Sequence, residues 1–269
     1  MLETQSYKKT IENDRLYPNF GTTDVKSNIF ERINTVLNPP DYSDNVNVNV
    51  VPFANQQLYA LTESNQYCRI DPTTLKIINT AKVESYLPAL KSIIAHPHID
   101  KDGSWINLGF NSKGQYQFVR YNGGEKAAQS ENAGDNVENI ATLDSTHKLG
   151  FSYFHSFGVT ENYIVFLEQA LKLSYKHLLS SVIFNKPISH ALVMERDFPT
   201  KIYLINKKTG QVVNQKFHAD PQFTFVRFDL KLNYLSFNNY FFIFKYLFSI
   251  LLIVLKHRLT KTRQKYLLI

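Results

Sequence analysis

The chain has 269 residues, 30 Lys+Arg against 23 Asp+Glu, a formal charge of +7 and one cysteine. That length holds one large domain or two small ones with ample core, and a lone Cys68 excludes an internal disulfide framework of the secreted kind. The basic surplus lies wholly after residue 226, where Arg227, Lys231, Lys245, Lys256, Arg258, Lys261, Arg263 and Lys265 face only Asp229.

A charge asymmetry of this kind marks a candidate nucleic-acid or membrane tail. The charge-balanced remainder gives no reason to expect a nucleic-acid partner. Met1 to Asn19 is polar and lacks the apolar core of a signal peptide, so a cytoplasmic protein is the expectation.

Residues 1 to 42 read as a polar lead-in that ends in an amphipathic run, Asn28 to Leu37, stopped by Pro39-Pro40. Strands follow. Asn45 to Val50 alternates with period two, and Leu58 to Thr62, Tyr67 to Ile70 and Leu75 to Ile78 continue the pattern around a turn at Asp71-Pro72. Trp105 to Phe110 and Tyr116 to Tyr121 come next, then a polar stretch from Gly123 to His147 that reads as a surface loop. Gly150 to Phe157, Tyr163 to Leu167, Lys201 to Ile205 and Gln211 to Phe217 complete the strands, the last pair joined by a turn at Lys208-Thr209-Gly210. Between them, residues 168 to 200 show helical spacing around Leu171, Leu178 and Leu179. Such a helix covers a core or touches a membrane with its apolar face, and core is the expected use.

An internal echo suggests how the strands are organised. Ile70 to Asn79 and Ile205 to Asn214 both carry Thr at the fifth position, two adjacent β-branched residues and a final Asn. Their separation is about three units of the roughly 45 residues in a four-stranded propeller blade. Two unrelated β-hairpins could share as much.

Two histidines stand at strand edges. His96 lies in Ala95-His96-Pro97-His98, with Asp102-Gly103 behind it, and His155 lies in Phe154-His155-Ser156-Phe157-Gly158. Neutral imidazole suits iron, copper and zinc, although a strand-edge histidine also serves simply as a hydrogen-bonding residue. Zinc-finger spacings, phosphate loops and a nucleophile elbow are absent from the sequence.

These stretches resemble the carotenoid cleavage oxygenase family, in its animal branch of β-carotene oxygenases and the retinal pigment epithelium retinoid isomerase. Ala95 to His98 with Asp102-Gly103 resembles the first iron-histidine motif, and His155 to Phe166 resembles the second. Tyr59-Ala60-Leu61-Thr62-Glu63 is similar to the stretch that carries an outer-shell glutamate.

The resemblance implies an all-β chain that forms part of a seven-bladed β-propeller, with Fe(II) on the axis held by four histidines. It implies an oxidoreductase that adds both atoms of O2 across a double bond of a β-carotene-like polyene to give retinal or apocarotenal products. It also implies peripheral contact with the membrane that supplies this apolar substrate. His96 carries over as one metal ligand, His155 as a second, and Glu63 as the acceptor behind a ligand ring. His98 is expected to be a structural hydrogen-bonding residue. A retinoid isomerohydrolase, or a non-catalytic carotenoid-binding fragment anchored in a membrane, are the alternatives.

A third ligand is expected just after the aromatic run Pro221 to Phe225, and there the chain has Val226; His218 lies before that run. Residues 1–225 therefore read as an N-terminal fragment of the oxygenase domain. Residues 226–269, rich in Leu, Phe, Lys and Tyr and without Gly or Pro, read as an unrelated hydrophobic and basic tail of helical type, such as a translated retained intron would give. Phe237 to Leu255 is long enough for a single membrane span but carries Lys245 within it. On this reading the chain alone is inactive.

Overall fold

The computed structural model describes residues 3–14, 30, 44–54, 57–221, 223 and 228–230. The chain divides into Met1–Asp229 and Leu230–Ile269, and the fold is that of the first unit, which opens with helix α1 (Gln5–Asn13). The predicted amphipathic run at Asn28–Leu37, the break at 225/226 and the tail with its apolar stretch fall almost wholly outside the described residues.

Two antiparallel sheets, of four and five strands, come first. Sheet A contains β1 (Asn49–Phe53), β2 (Gln57–Leu61), β3 (Gln66–Ile70) and β4 (Ile77–Lys82) in chain order. Sheet B runs β5 (Leu90–Ile93), β7 (Trp105–Asn111), β8 (Gln115–Tyr121) and β9 (Val137–Asp144), with the short β6 (His98–Ile99) paired to β7. Sheet C is built from β10 (Gly150–Ser152), β13 (Leu171–Ser174) and β14 (Leu192–Met194). Sheet D has the order β16-β15-β12-β11-β17, from β11 (Gly158–Thr160), β12 (Tyr163–Glu168), β15 (Thr200–Asn206), β16 (Val212–Ala219) and β17 (Phe228–Leu230).

Sheet B holds the fold together because it is buried on both faces. Trp105, Val119 and Tyr121 point into one cluster with Phe53, Tyr59, Tyr67 and Leu90, between sheets A and B. Their neighbours Ile106, Leu108, Tyr116 and Phe118 point the other way, against Ile164, Phe166 and Tyr203 of sheet D and Phe157 just before it. Two-sided burial explains why apolar side chains occur on both faces of β7 and β8, with six of the seven residues of β7 buried. Each large side chain buried this way contributes about 1.5–3 kcal/mol. The Trp105 indole also donates across the A–B gap to the Pro52 carbonyl at 2.7 Å.

The internal echo is a shared turn. Asp71 Oδ1 accepts the N–H groups of Thr73 and Thr74, and Asn206 Oδ1 accepts those of Lys208 and Thr209. Leu75 N–H returns to the Asp71 carbonyl as Gly210 N–H returns to that of Asn206, and both residues are left-handed, at φ 57° and 68°. Strand pairing matches as well, Ile70 opposite Ile77 and Ile205 opposite Val212. The turns join neighbouring strands, β3 to β4 in sheet A and β15 to β16 in sheet D. The two copies lie in sheets A and D, and β13, helix α3 (Tyr175–Ile183) and β14 form an excursion between β12 and β15.

Other expectations also change. The polar stretch from Gly123 to His147 is not only loop. It contains α2 (Glu125–Ala128) and the eight-residue strand β9, whose mixed exposure is that of an outer edge strand. The predicted strand Asn45–Val50 starts later, at Asn49. The predicted strand from Leu75 begins at Ile77, because left-handed Leu75 closes the turn. Gly150–Phe157 is extended only to Ser152. The helix near Leu178 exists, but its apolar side does not cover a core, since Leu179, Ile183 and the following Phe184 are exposed.

Burial has a pH consequence. It pushes the Cys68 thiol up from 9.0 to about 11, and the Tyr59 phenol up from 10.0 to about 12 although the Ala133 N–H bond opposes it. Both groups stay protonated in the folded chain after the unfolded chain has begun to ionise. Their contribution is therefore complete below about pH 9 and is lost as pH rises through about 11 to 12. Denaturant midpoints should fall over that window, and Cys68 should resist alkylation until the chain is unfolded. Equal alkylation rates with and without denaturant would contradict the burial.

Candidate metal centre

The two singled-out histidines come from different connections and meet. His96 lies between β5 and β6, and His155 lies between β10 and β11. Their ring centroids are 4.7 Å apart with planes inclined at 58°. Two imidazoles on one metal, with metal–nitrogen bonds of about 2.1 Å, have centroids roughly 4.5–5.3 Å apart for angles from octahedral to tetrahedral. The pair fits half of an imidazole-ligated metal site.

Sheet A supplies the third residue. Glu63 follows β2, and the next residue, Ser64, bridges to Ile93 at the end of β5. The Ile93 N–H donates to the Ser64 carbonyl at 3.0 Å, which ties the Glu63 connection to the segment leading into His96. Glu63 Oε1 is in ion-pair contact with His155 Nδ1. A carboxylate can only accept there, so Nδ1 carries hydrogen and Nε2 keeps the lone pair a metal needs. The Tyr153 hydroxyl donates to the other oxygen, Oε2, at 3.1 Å. Burial pushes the Tyr153 phenol well up, and the Glu63 charge adds to this, so it remains a donor.

His96 has a different neighbour. Its Nδ1 lies 3.3 Å from Asn49 Nδ2, and the same amide nitrogen donates to the Ala95 carbonyl at 2.9 Å. His98 is buried, and its Nε2 donates to the Phe157 carbonyl at 2.7 Å, with the ring set edge-on to that of Phe157. That bond occupies one ring nitrogen and ties β6 to the segment after His155. His218 stands apart, exposed on β16 opposite Lys201. Val226 lies outside the described residues. Among the described residues, no three His, Cys, Asp or Glu side chains form a group able to hold a metal.

The segment carrying His155 is fixed by a buried carboxylate that sequence reasoning missed. Glu168, at the end of β12, is fully buried. It accepts from the Thr146 N–H at 2.7 Å, the Tyr116 and Tyr203 hydroxyls at 3.1 Å each, and the Ser145 hydroxyl at 3.3 Å. Tyr116 in turn accepts the Ser152 N–H at 2.8 Å, three residues before His155. Charged acceptors with several donors make strong bonds, and such a set offsets the desolvation of the buried charge. No motif marks Glu168; it closes an apolar strand and reads as a strand end. Tyr153, two residues before His155, and Asn49, in the alternating run, were equally unmarked.

The profile of the retinal pigment epithelial membrane protein family matches residues 1–226. The chain belongs to this family of carotenoid oxygenases. Rat β,β-carotene 15,15′-dioxygenase is 32% identical over 236 residues, covering 83% of this chain and 41% of the rat protein. Human mitochondrial carotenoid-cleaving dioxygenase is 34% identical, with 83% and 40% of the two chains covered. The chain thus spans about two fifths of the length of these relatives. Among solved structures, a variant of Synechocystis apocarotenoid oxygenase superposes with a TM-score of 0.61 at 18% identity, covering 83% of this chain and 44% of that one. Lignostilbene dioxygenase of Pseudomonas brassicacearum gives 0.54 at 17% identity, covering 77% and 38%. These likenesses show the fold, which is part of a carotenoid-oxygenase β-propeller.

Removing the carboxylate behind a metal-binding imidazole typically costs 10–100-fold in metal affinity. Glu63→Ala should weaken zinc(II) binding to the chain by about that factor, with Tyr153→Phe lying between it and the parent. Titration followed at the histidine resonances measures both. An unchanged affinity in Glu63→Ala would remove Glu63 from the site.

Proposed function

We propose that the chain is the N-terminal part of an Fe(II)-dependent dioxygenase that cleaves a double bond of β-carotene-like substrates to retinal or apocarotenals. The observation that carries this is the packing of His96 against His155 at 4.7 Å, with Glu63 on the outer nitrogen of His155. Iron, when bound, supplies the coordination of O2 that lets both oxygen atoms enter the cleaved double bond.

The chain's residues do the rest of what this part of the molecule contributes. His96 and His155 offer neutral nitrogens, so the donor set adds no charge to the metal. Glu63 holds the His155 proton on Nδ1, and Tyr153 fixes Glu63. Retention of iron by two histidines is weak, because a stable site of this class draws its remaining ligands from further along a longer chain. Purified protein is therefore expected to hold well under one iron per chain and to form no retinal from β-carotene. Stoichiometric iron with turnover would overturn the fragment reading.

Substrates of this kind dissolve in lipid, and the excursion between β12 and β15 offers a surface for reaching it. Leu179, Ile183 and Phe184 are exposed on and just after α3, with Lys176 and Lys186 among them. Leu149, 73% exposed, sits beside the start of this helix, its carbonyl accepting the Tyr175 N–H at 3.0 Å. An apolar face flanked by lysines suits peripheral docking at a headgroup boundary. No helix among the described residues is long and apolar enough to cross a membrane. Leu179→Glu with Phe184→Glu should abolish co-sedimentation with vesicles of phosphatidylcholine and phosphatidylserine and leave the fold intact. Undiminished co-sedimentation would move the docking surface elsewhere.

A further inference from the structure

We propose that Asn49 governs the ring of His96, and that giving Nε2 of His96 to a metal requires the Asn49 amide to turn over. The inference rests on the reading of His96 as a ligand and deepens it. The two histidines are held by chemically different neighbours. Glu63 has no hydrogen to give, so the outer nitrogen of His155 is always a donor. Asn49 presents an NH2 group, identified as such by its 2.9 Å bond to the carbonyl of Ala95, a fully buried residue. The same nitrogen stands 3.3 Å from His96 Nδ1.

An NH2 group facing Nδ1 makes Nδ1 the acceptor, and a neutral ring then keeps its hydrogen on Nε2. A ring that donates Nε2 to a metal instead carries hydrogen on Nδ1, which cannot point at NH2. A half-turn of the amide resolves the conflict by bringing Oδ1 to Nδ1. It does so by giving up the bond to Ala95, whose buried carbonyl needs a donor. His155 is thus set in advance for a metal, whereas His96 joins only when Asn49 moves. Asn49 is a positioning residue that makes the first ligand conditional.

The test reads the ring nitrogens of the full chain by long-range nitrogen–proton correlation, with His96→Gln used to assign the signals. The expected result is His96 with hydrogen on Nε2 and His155 with hydrogen on Nδ1. Asn49→Asp, whose carboxylate can only accept, should shift the His96 hydrogen to Nδ1 and leave His155 unchanged. Unchanged His155 signals also report that the variant is folded; if it is not, the spectrum of the parent chain decides alone. Finding His96 already protonated on Nδ1 in the parent overturns the proposal. Zinc(II) added to the parent should shift His96 and the Asn49 side-chain amide together. A shift of both rings without Asn49 overturns the coupling but keeps the metal reading, and no shift of either ring overturns both.

Discussion

A carboxylate buried among hydroxyls holds the centre of this structure together. Glu168 lies at zero exposure, and its donors come from sheet B, from the connection after it and from sheet D. Burying a charge costs several kcal/mol unless every lone pair is met, so the three elements must arrive in one arrangement. Tyr116 passes that arrangement on, because the hydroxyl that donates to Glu168 also accepts the backbone N–H of Ser152. The position of Tyr153 and His155 is therefore settled from within the core. Two-sided burial of sheet B makes the same demand through shape: a shift of β7 or β8 would disturb both clusters at once.

The candidate centre inherits this rigidity unevenly. His155 is backed by a carboxylate that is itself held by a tyrosine. His96 is backed by a neutral amide with a second obligation to the main chain. Histidines that look alike as motifs can thus differ in how ready they are to bind, and the difference lies in residues 47 and 92 positions away along the chain from the rings they serve.

Much of this was legible in the sequence. His96, His155 and Glu63 were identified from local motifs, and the structure brings them together through a Ser64–Ile93 bridge that no local pattern records. The strands buried on one or both faces were readable because apolar periodicity survives in them. Strand β9 was not, since an outer edge strand of mixed exposure looks like polar loop until its partner is known. The excursion misled in another way. Leu178 and Leu179 have the spacing of a core-facing helix, but Leu178 is only partly buried and Leu179 is exposed. Glu168 and Asn49 carry no signal of their own, because a polar residue becomes a hub only through contacts from distant strands.

The repeated turn has a further meaning. Both copies need one residue in the left-handed region, which glycine adopts freely and leucine does not. The first copy nevertheless has Leu75, half exposed, while the second has Gly210, against which the backbone carbonyl of Ile140 lies so close that a methyl group would collide with it. The left-handed backbone therefore does not by itself decide the residue; proximity does. In the second copy the turn has become a seat for the outer strand of sheet B, and in the first it is still only a turn. Comparing one position across repeats thus tells which blade corner bears a neighbour's weight, information that neither copy holds alone.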